Sequence, residues 1–136
     1  MANKPLSLKT TDKGAHWKKV ELNGLQVDES PLSDVFIFPD NTIRILSFTG
    51  NVYESTNKVK NWSLLRSGKE GESLNSITFT TKKMGYVSGL NGLLSKTLDE
   101  GKTWEPIDTS VLESSANISN LEYTKDHRLL LTTTEC

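Results

Sequence analysis

The sequence contains the octad TLDEGKTW, from Thr97 to Trp104, whose pattern indicates the fold of the chain. The same pattern of eight residues occurs twice more, as TTDKGAHW at Thr10–Trp17 and as STNKVKNW at Ser55–Trp62. The tryptophans that end these octads are the only three in the chain, and they stand 45 and 42 residues apart. Because a period of this length indicates one supersecondary unit that repeats, the 136 residues correspond to about three units.

Each unit is predicted to contain four short strands. Ahead of the second octad, Val35–Phe38, Thr42–Phe48 and Val52–Ser55 are apolar runs separated by turn residues. Similar runs precede the third octad, where Asn91-Gly92 is a strong hairpin signal, and each octad leads into a fourth run that starts at its tryptophan. Runs of this length, rich in Val, Ile and Phe and bounded by Gly, Pro and Asn, favour strands over helices.

The two ends of the chain each match half a unit. The N-terminal segment matches the third and fourth strands, and the C-terminal segment matches the first and second, with Leu121 aligned on Phe36. Complete units lie between them. The sequence therefore predicts one all-β domain in which antiparallel strands follow one another along the chain.

The octads resemble the Asp-box, or BNR repeat, whose pattern is S/T-x-D-x-G-x-T/S-W and which is known from β-propellers such as sialidases, sortilin-type receptors and photosystem II assembly factors. The third octad fits at every position, and the first departs only at His16. The second octad has Asn57, Val59 and Asn61 in place of the acid, the glycine and the hydroxyl. The resemblance implies a β-propeller-type fold of four-stranded antiparallel blades, with three blade equivalents in the chain. The expected single domain, 1–136, divides into a half-blade at 1–22, blades at 34–66 and 76–108, and a half-blade at 118–136.

The resemblance also implies that the octads are structural, since in such families they lie at the outer edge of the blades. We expect each aspartate to accept backbone N–H groups in an Asx-type turn, each glycine to adopt positive φ, and each tryptophan to cover its hairpin. Val59 disfavours positive φ, which predicts a looser second turn. The residues assigned to this role are Asp12, Gly14, Trp17, Asn57, Trp62, Asp99, Gly101 and Trp104.

Three blades are too few for a closed ring, because propellers close with typically four to eight. The half-blades at the two ends then lie too far apart to pair within one chain. We therefore expect a homodimer with a six-bladed ring, in which each chain completes a hybrid blade of the other. The alternative is that the sequence is a piece of a longer propeller.

Composition narrows the classes of partner. Sixteen Lys and Arg face seventeen Asp and Glu, and the net charge of −1 gives no global excess for binding nucleic acid or a membrane surface. The mean hydropathy of −0.44 and the lack of a long apolar run argue against a membrane span. The N-terminus has no signal-peptide pattern and Cys136 is the single cysteine, so we expect a cytoplasmic protein.

Charge is predicted to separate between the two faces of the propeller. The inter-blade connections hold one lysine, Lys69, and seven acids, whereas the opposite hairpins hold ten basic residues and five acidic ones. We expect a protein or peptide partner, basic in character, to bind the acidic face, although such charge also serves solubility. The proposed partner-binding residues are Asp28, Glu29, Asp34, Glu70, Glu72, Asp108 and Glu113.

These features favour a non-catalytic binding or scaffolding protein, such as an inhibitor, an immunity protein or an assembly factor, with no cofactor and no metal. A sialidase-like hydrolase needs a cluster of arginines, and the positions of Arg44, Arg66 and Arg128 do not predict one. His16 and His127 lie in separate hairpins without metal-ligand spacing. A lectin is the closer alternative, with Phe48 as a candidate ring to stack on a sugar.

Overall fold

A computed structural model describes residues 6–21, 32–56, 61–112 and 116–134. Within these ranges the protein is all-β, as predicted, and its one helical element is a 3-10 turn at Leu90–Gly92. No helix in the described ranges has the length and apolar character needed to cross a bilayer. The strands are β1 (Leu6–Lys9), β2 (Lys18–Glu21), β3 (Leu32–Ile37), β4 (Ile43–Ser47), β5 (Val52–Ser55), β6 (Ser63–Arg66), β7 (Leu74–Phe79), β8 (Gly85–Gly89), β9 (Leu94–Thr97), β10 (Glu105–Pro106), β11 (Asn117–Tyr123) and β12 (Leu129–Thr134).

The strands form two four-stranded antiparallel sheets and two hairpins. Strands β3 to β6 form blade A and strands β7 to β10 form blade B, each with consecutive strands as neighbours. Strands β1 and β2 form the N-terminal hairpin, and strands β11 and β12 form the C-terminal hairpin. Across the described residues, neither hairpin forms strand pairing with the other or with the edge strand of a blade.

A β-bulge recurs near the start of β3, β7 and β11. The register shifts between Leu32 and Asp34 in β3, between Leu74 and Ser76 in β7, and again in β11 just before Asn120. Each bulge inserts one residue and reverses the alternation of side chains beyond it. Asp34, Ser76 and Asn120 therefore occupy equivalent positions in three units.

The pairing corrects one part of the sequence alignment. Leu121 lies opposite Leu131 in the way that Val35 lies opposite Ile45, so Leu121 corresponds to Val35 and not to Phe36. A shift of one residue moves a strand side chain to the other face of its sheet. Val35 and Leu121 thus share a face, whereas Phe36 points the opposite way.

The hydrophobic core lies between stacked sheets. Leu46 and Val52 of blade A pack against Leu74, Ile77 and Phe79 of blade B. A second cluster joins blade B to the C-terminal hairpin, and its buried members are Leu94, Ile118 and Leu121. Face-to-face stacking of this kind places blade A, blade B and the C-terminal hairpin in the order of successive propeller blades.

Candidate functional site

The connections between strands at one end of the sheets form a continuous surface, which we call the connection face. It comprises the described segments 48–51, 67–73, 90–93 and 107–112. Main-chain hydrogen bonds join these segments: Leu74 N–H of blade B donates to Phe48 O of blade A at 2.8 Å, and at blade B itself Leu90 N–H donates to Ser73 O at 3.0 Å. The Thr109 hydroxyl extends this series by donating to Gly92 O at 2.7 Å.

Glycine at two of these junctions allows the close approach of the segments. A Cβ on Gly68 would lie 1.8 Å from Thr49 O, and a Cβ on Gly89 would lie 1.9 Å from Ser73 O. The Asn91-Gly92 turn has positive φ at both residues, as its sequence predicted. The connection face is therefore a set of loops held in fixed positions relative to the sheets.

The described acids of the predicted partner-binding set differ in their surroundings. Glu70 and Asp108 are exposed on the connection face. Glu72 is half-buried, and its carboxylate lies 2.9 Å from Nη2 of Arg66, which itself is buried and donates to Gly50 O. The charge of Glu72 is thus neutralised within the chain, which the sequence tally of loop charges did not show.

Asp34 lies on β3 and not in a connection. Its Oδ2 atom accepts the N–H of Ile77 at 2.9 Å and lies 3.1 Å from the Ser76 hydroxyl of blade B. The Asp34 carboxylate thus links the inner strand of blade A, β3, to the inner strand of blade B, β7. The remaining members of the acidic set, Asp28, Glu29 and Glu113, lie outside the described residues.

The hydrogen bond that Asp34 accepts from Ile77 belongs to a relay that the sequence did not predict. Ser76 Oγ accepts the N–H of Leu121 at 3.1 Å and lies 3.2 Å from Asn120 Oδ1. Each inner strand thus offers a side-chain oxygen to the backbone of the next inner strand. The signal in the sequence is a column of Asp, Ser and Asn within otherwise apolar strands, which becomes visible only when the bulges are placed correctly.

Asp108 begins the turn that exposes Val111, the most exposed apolar side chain of the connection face. It accepts the N–H of Ser110 at 2.8 Å, and this hydrogen bond lowers the pKa of Asp108. The turn that follows leaves Val111 94% exposed. An acid and an apolar side chain therefore lie side by side at the end of blade B.

The opposite face carries the hairpin turns and is rich in exposed cations. Three of these cations pair with acids of the same face: Lys82 with Asp40, Lys102 with Glu100, and Arg128 with Asp126. The pKa of Asp40 falls to about 2, chiefly because Lys82 donates a hydrogen bond to it. The other described cations of the predicted basic set are exposed, and they are Lys13, Lys18, Lys19, Lys83 and Lys125.

Two octads form the same turn. Asp99 Oδ1 accepts the N–H of Thr103 at 2.9 Å and the Thr97 hydroxyl at 2.8 Å, and Trp104 Nε1 donates to Gly101 O at 2.9 Å. Asp12 receives equivalent bonds in the first octad, where His16 Nδ1 lies 2.6 Å from its second oxygen. Gly14 and Gly101 have φ of 94° and 97°.

The second octad is described only in part. Asn57 and Val59 lie outside the described residues, so the expected looseness of that turn stays a prediction. Trp62 is buried against Ile45 and Tyr53, and its Nε1 has no partner among the described residues. In the other two octads this nitrogen bonds the glycine carbonyl, and the equivalent residue here is Val59.

The arginines weighed for a hydrolase take part in separate interactions. Arg44 is buried between the rings of Phe38 and Phe79, with its guanidinium carbon 4.7 and 4.5 Å from their centroids. Its Nε lies 2.9 Å from Glu54, and Nη1 donates to Lys82 O. Arg44 therefore joins blade A to blade B, while Arg66 and Arg128 pair with the acids described above.

The structure places the remaining candidates apart. His16 bonds Asp12 in the N-terminal hairpin, while His127 Nδ1 lies 3.0 Å from the Tyr123 hydroxyl in the C-terminal hairpin. Within the described ranges, no group of three or more His, Cys, Asp and Glu side chains has a metal-binding arrangement. Phe48, the ring considered for a sugar site, is half-buried.

No protein-family model and no curated protein matches the chain. The solved structures that are similar to it include two of YCF48. The first, described as YCF48 bound to D1 peptide, has a TM-score of 0.63 and 19% identity over 94% of this chain and 40% of that chain. The second, YCF48 from Cyanidioschyzon merolae, has a TM-score of 0.71 and 16% identity over 97% of this chain and 43% of that chain.

The chain thus spans about two fifths of the length of these solved structures. At such identities the likeness concerns the fold alone. Together with the stacked four-stranded sheets, it identifies the chain as a β-propeller-type protein.

Proposed function

We propose that the chain is a non-catalytic module that binds an extended segment of a protein partner through the connection face, as an inhibitor, an immunity protein or an assembly factor does. The observation that carries the proposal is the preformed connection face, whose segments are joined to one another and to the sheets by hydrogen bonds. A surface that is ordered before binding loses little entropy when a flexible segment docks on it. A YCF48 structure with the same fold holds a D1 peptide, which supports a peptide as the partner class.

The chemistry of the connection face favours a basic and partly apolar segment. The described loops of the connection face hold two exposed acids, Glu70 and Asp108, and one exposed lysine, Lys69. Val111 stands beside Asp108 as an apolar contact. Charges at the rim of such a surface act mainly on association rate and selectivity, so basic segments are selected over acidic ones.

The proposal is tested with labelled peptides of equal length and basic, neutral or acidic composition, titrated against the full chain by fluorescence anisotropy. Basic peptides should bind more tightly than acidic ones. The double variant Glu70→Gln with Asp108→Asn should weaken their binding roughly two- to thirtyfold, since each of the two exposed charge pairs contributes about 0.2–1 kcal/mol.

The matched control neutralises two exposed cations of the opposite face, Lys13→Gln with Lys125→Gln, and should leave the affinity within experimental error. Equal binding of all three peptide classes, or a larger loss in the control than in the acidic variant, contradicts the proposal. A glycan array separates the lectin alternative, because selective glycan binding without peptide binding would assign the surface to sugars.

We further propose that the binding unit is a six-bladed ring of two copies. The partner segment would then meet the connection faces of both copies around one central opening. Charges on the two faces would add, which increases the steering of a basic segment.

A further inference from the structure

The face of blade A that points away from blade B is buried at Ile45, Tyr53 and Trp62 but exposed along its inner strand, β3. Val35 and Ile37 point away from blade B, because strand side chains alternate and Phe36 and Phe38 pack towards it. Ile37 is 60% exposed, whereas its counterpart in blade B, Phe79, is 4% exposed because blade A packs on it. The inner-strand part of this face therefore exposes apolar side chains at positions that are packed in blade B.

The C-terminal hairpin presents the complementary surface. Leu129 and Leu131 pack towards blade B, so Leu130 between them points outward and is exposed. The counterpart of Leu130 in blade A is Arg44, which lies over Phe79 of the next blade. By the same step, Leu130 would lie over an Ile37 side chain of a following blade A.

The inner-strand relay ends at blade A and at the C-terminal hairpin. In the two internal steps, the N–H groups of Ile77 and Leu121 reach the side-chain oxygen of the preceding blade. Val35 is the equivalent donor in blade A, yet its N–H bonds Oδ1 of its own neighbour Asp34 at 2.8 Å. The matching acceptor is exposed Asn120.

The edges of β12 and β1 match the register that the second and third strands have within each blade. In both blades the second and third strands pair so that Arg44 lies opposite Glu54, and Tyr86 lies opposite Lys96. The same register places Leu130 of β12 opposite Lys9 of β1. Leu8, the neighbour of Lys9, is 60% exposed, whereas its counterpart Tyr53 in complete blade A is 2% exposed.

We propose that a second copy of this chain occupies both free surfaces of the first. Strand β12 of one copy pairs antiparallel with β1 of the other, with Leu130 opposite the partner's Lys9. The C-terminal hairpin then packs on the partner's blade A, where Asn120 accepts the N–H of the partner's Val35 and Leu130 contacts the partner's Ile37. This inference rests on the proposed ring of two copies and specifies its contacts.

A second copy fits because the two free surfaces continue one internal pattern. In the proposed pairing, the exposed Ile37 meets Leu130, the N–H of Val35 meets Asn120, and the edge of β1 meets the edge of β12. A twofold axis uses both pairs of surfaces at once, which is the isologous arrangement of most homodimers. Edge pairing also covers strand edges that otherwise favour aggregation.

The test is a pair of cysteines at the proposed register, Lys9→Cys with Leu130→Cys, in a Cys136→Ser background. Directly opposed residues of antiparallel strands have Cα separations that a disulfide can span. Mild oxidation should give a covalent dimer, with a mass about twice the 15.1 kDa of one chain. The control, Lys9→Cys with Thr132→Cys, shifts one cysteine by two residues on the same face and should give little dimer, because diagonal neighbours lie about 7–8 Å apart between Cα atoms, more than a disulfide usually spans.

Light scattering of the unmodified chain provides the second measurement, with the mass of two chains expected. A single-chain mass, a disulfide that closes within one chain, or equal yields from the two cysteine pairs would overturn the inference. Peptide binding is measured separately on the same samples. A single chain that still binds basic peptides contradicts only the paired ring, whereas a dimer that binds none contradicts only the proposed function.

Discussion

Asp99 fixes the turn between β9 and β10 through its carboxylate. The side-chain and backbone hydrogen bonds from Thr103, together with the hydroxyl of Thr97, lower its pKa from 3.8 to about 2. Such bonds favour the charged form, so the folded chain holds this proton less tightly than the unfolded chain. Asp99 therefore stabilises the fold at neutral pH and ceases to do so in acid.

We expect Asp99→Ala to lower the free energy of unfolding by about 1–2 kcal/mol at pH 7, the usual effect of losing such a turn-capping carboxylate. The contribution of Asp99 is complete above the unfolded pKa of about 4 and is lost as pH falls towards 2. Urea unfolding between pH 7 and pH 2 should show a shallower acid decline in the variant, with slope remaining from Asp40.

The matched comparison is Asp12→Ala, which removes the equivalent carboxylate from a hairpin whose Trp17 is exposed. It should cost less than Asp99→Ala, because the Asp12 turn holds little buried structure in place. Parallel acid profiles for wild type and Asp99→Ala would show that the carboxylate does not act through its ionised form.

At this scale the sequence predicted turn chemistry well, because Asp, Gly and Trp act within eight residues. Positive φ at Gly14 and Gly101 follows from glycine itself. The preceding residues, Lys13 and Glu100, also have positive φ, and nothing in their side chains indicates it. Pairing of Glu72 with buried Arg66 was unpredictable for another reason, since it depends on the position of a neighbouring turn.

Among the elements, the bulged inner strands determine how the blades join. Ser76 is buried and takes part in the relay, while Ser88 lies directly opposite it on β8 and is buried with no partner for its hydroxyl among the described residues. The two serines thus occupy opposed positions in one sheet with opposite hydrogen-bonding states. They allow the relay to be measured separately from the loss of a hydroxyl.

We expect Ser76→Ala to lower the free energy of unfolding by about 1–3 kcal/mol, because the N–H of Leu121 and the carboxylate of Asp34 lose a partner. Ser88→Ala should leave stability unchanged or raise it by up to about 1 kcal/mol, because it removes an unsatisfied hydroxyl. Urea titration of both variants decides the matter, and equal losses would mean that the relay contributes nothing beyond packing.

The strands themselves were predictable from apolar runs and turn residues, since alternation and turn chemistry are local. The bulges were not, because an extra residue in an apolar strand leaves composition and spacing nearly unchanged. For that reason Leu121 was aligned on Phe36, one residue away from its true counterpart, Val35. The role of Asp34 as an interstrand acceptor followed from the same bulge and was hidden with it.

In the whole molecule, the exposure of each tryptophan depends on the strands that pack around its ring. Trp104 lies 6.4 Å from the ring of Phe79, and Trp62 is buried on blade A. Trp17 is 58% exposed, and in the part of the chain that the structure describes its hairpin pairs with no further strand. The proposed ring would place the C-terminal hairpin of the second copy beside it.

We therefore expect Trp17 emission to depend on assembly. Leu130→Glu, which puts a charge into the proposed contact, should shift tryptophan emission to the red and increase acrylamide quenching. In a Trp17→Phe background the same substitution should change neither quantity, because Trp62 and Trp104 lie within or against complete blades. A red shift that persists without Trp17 would point to damage inside the blades.

The inner-strand relay has a consequence for how such proteins can grow. In the two internal steps, one unit contributes a side-chain acceptor and the next unit donates a main-chain N–H, which every residue except proline possesses. Asp34 and Ser76 both serve as the acceptor, so the position tolerates more than one residue type. A duplicated gene segment that encodes one more unit would bring its own side-chain acceptor, and the next unit would supply a main-chain N–H as donor. Repeats of this kind can therefore be added without a compensating substitution.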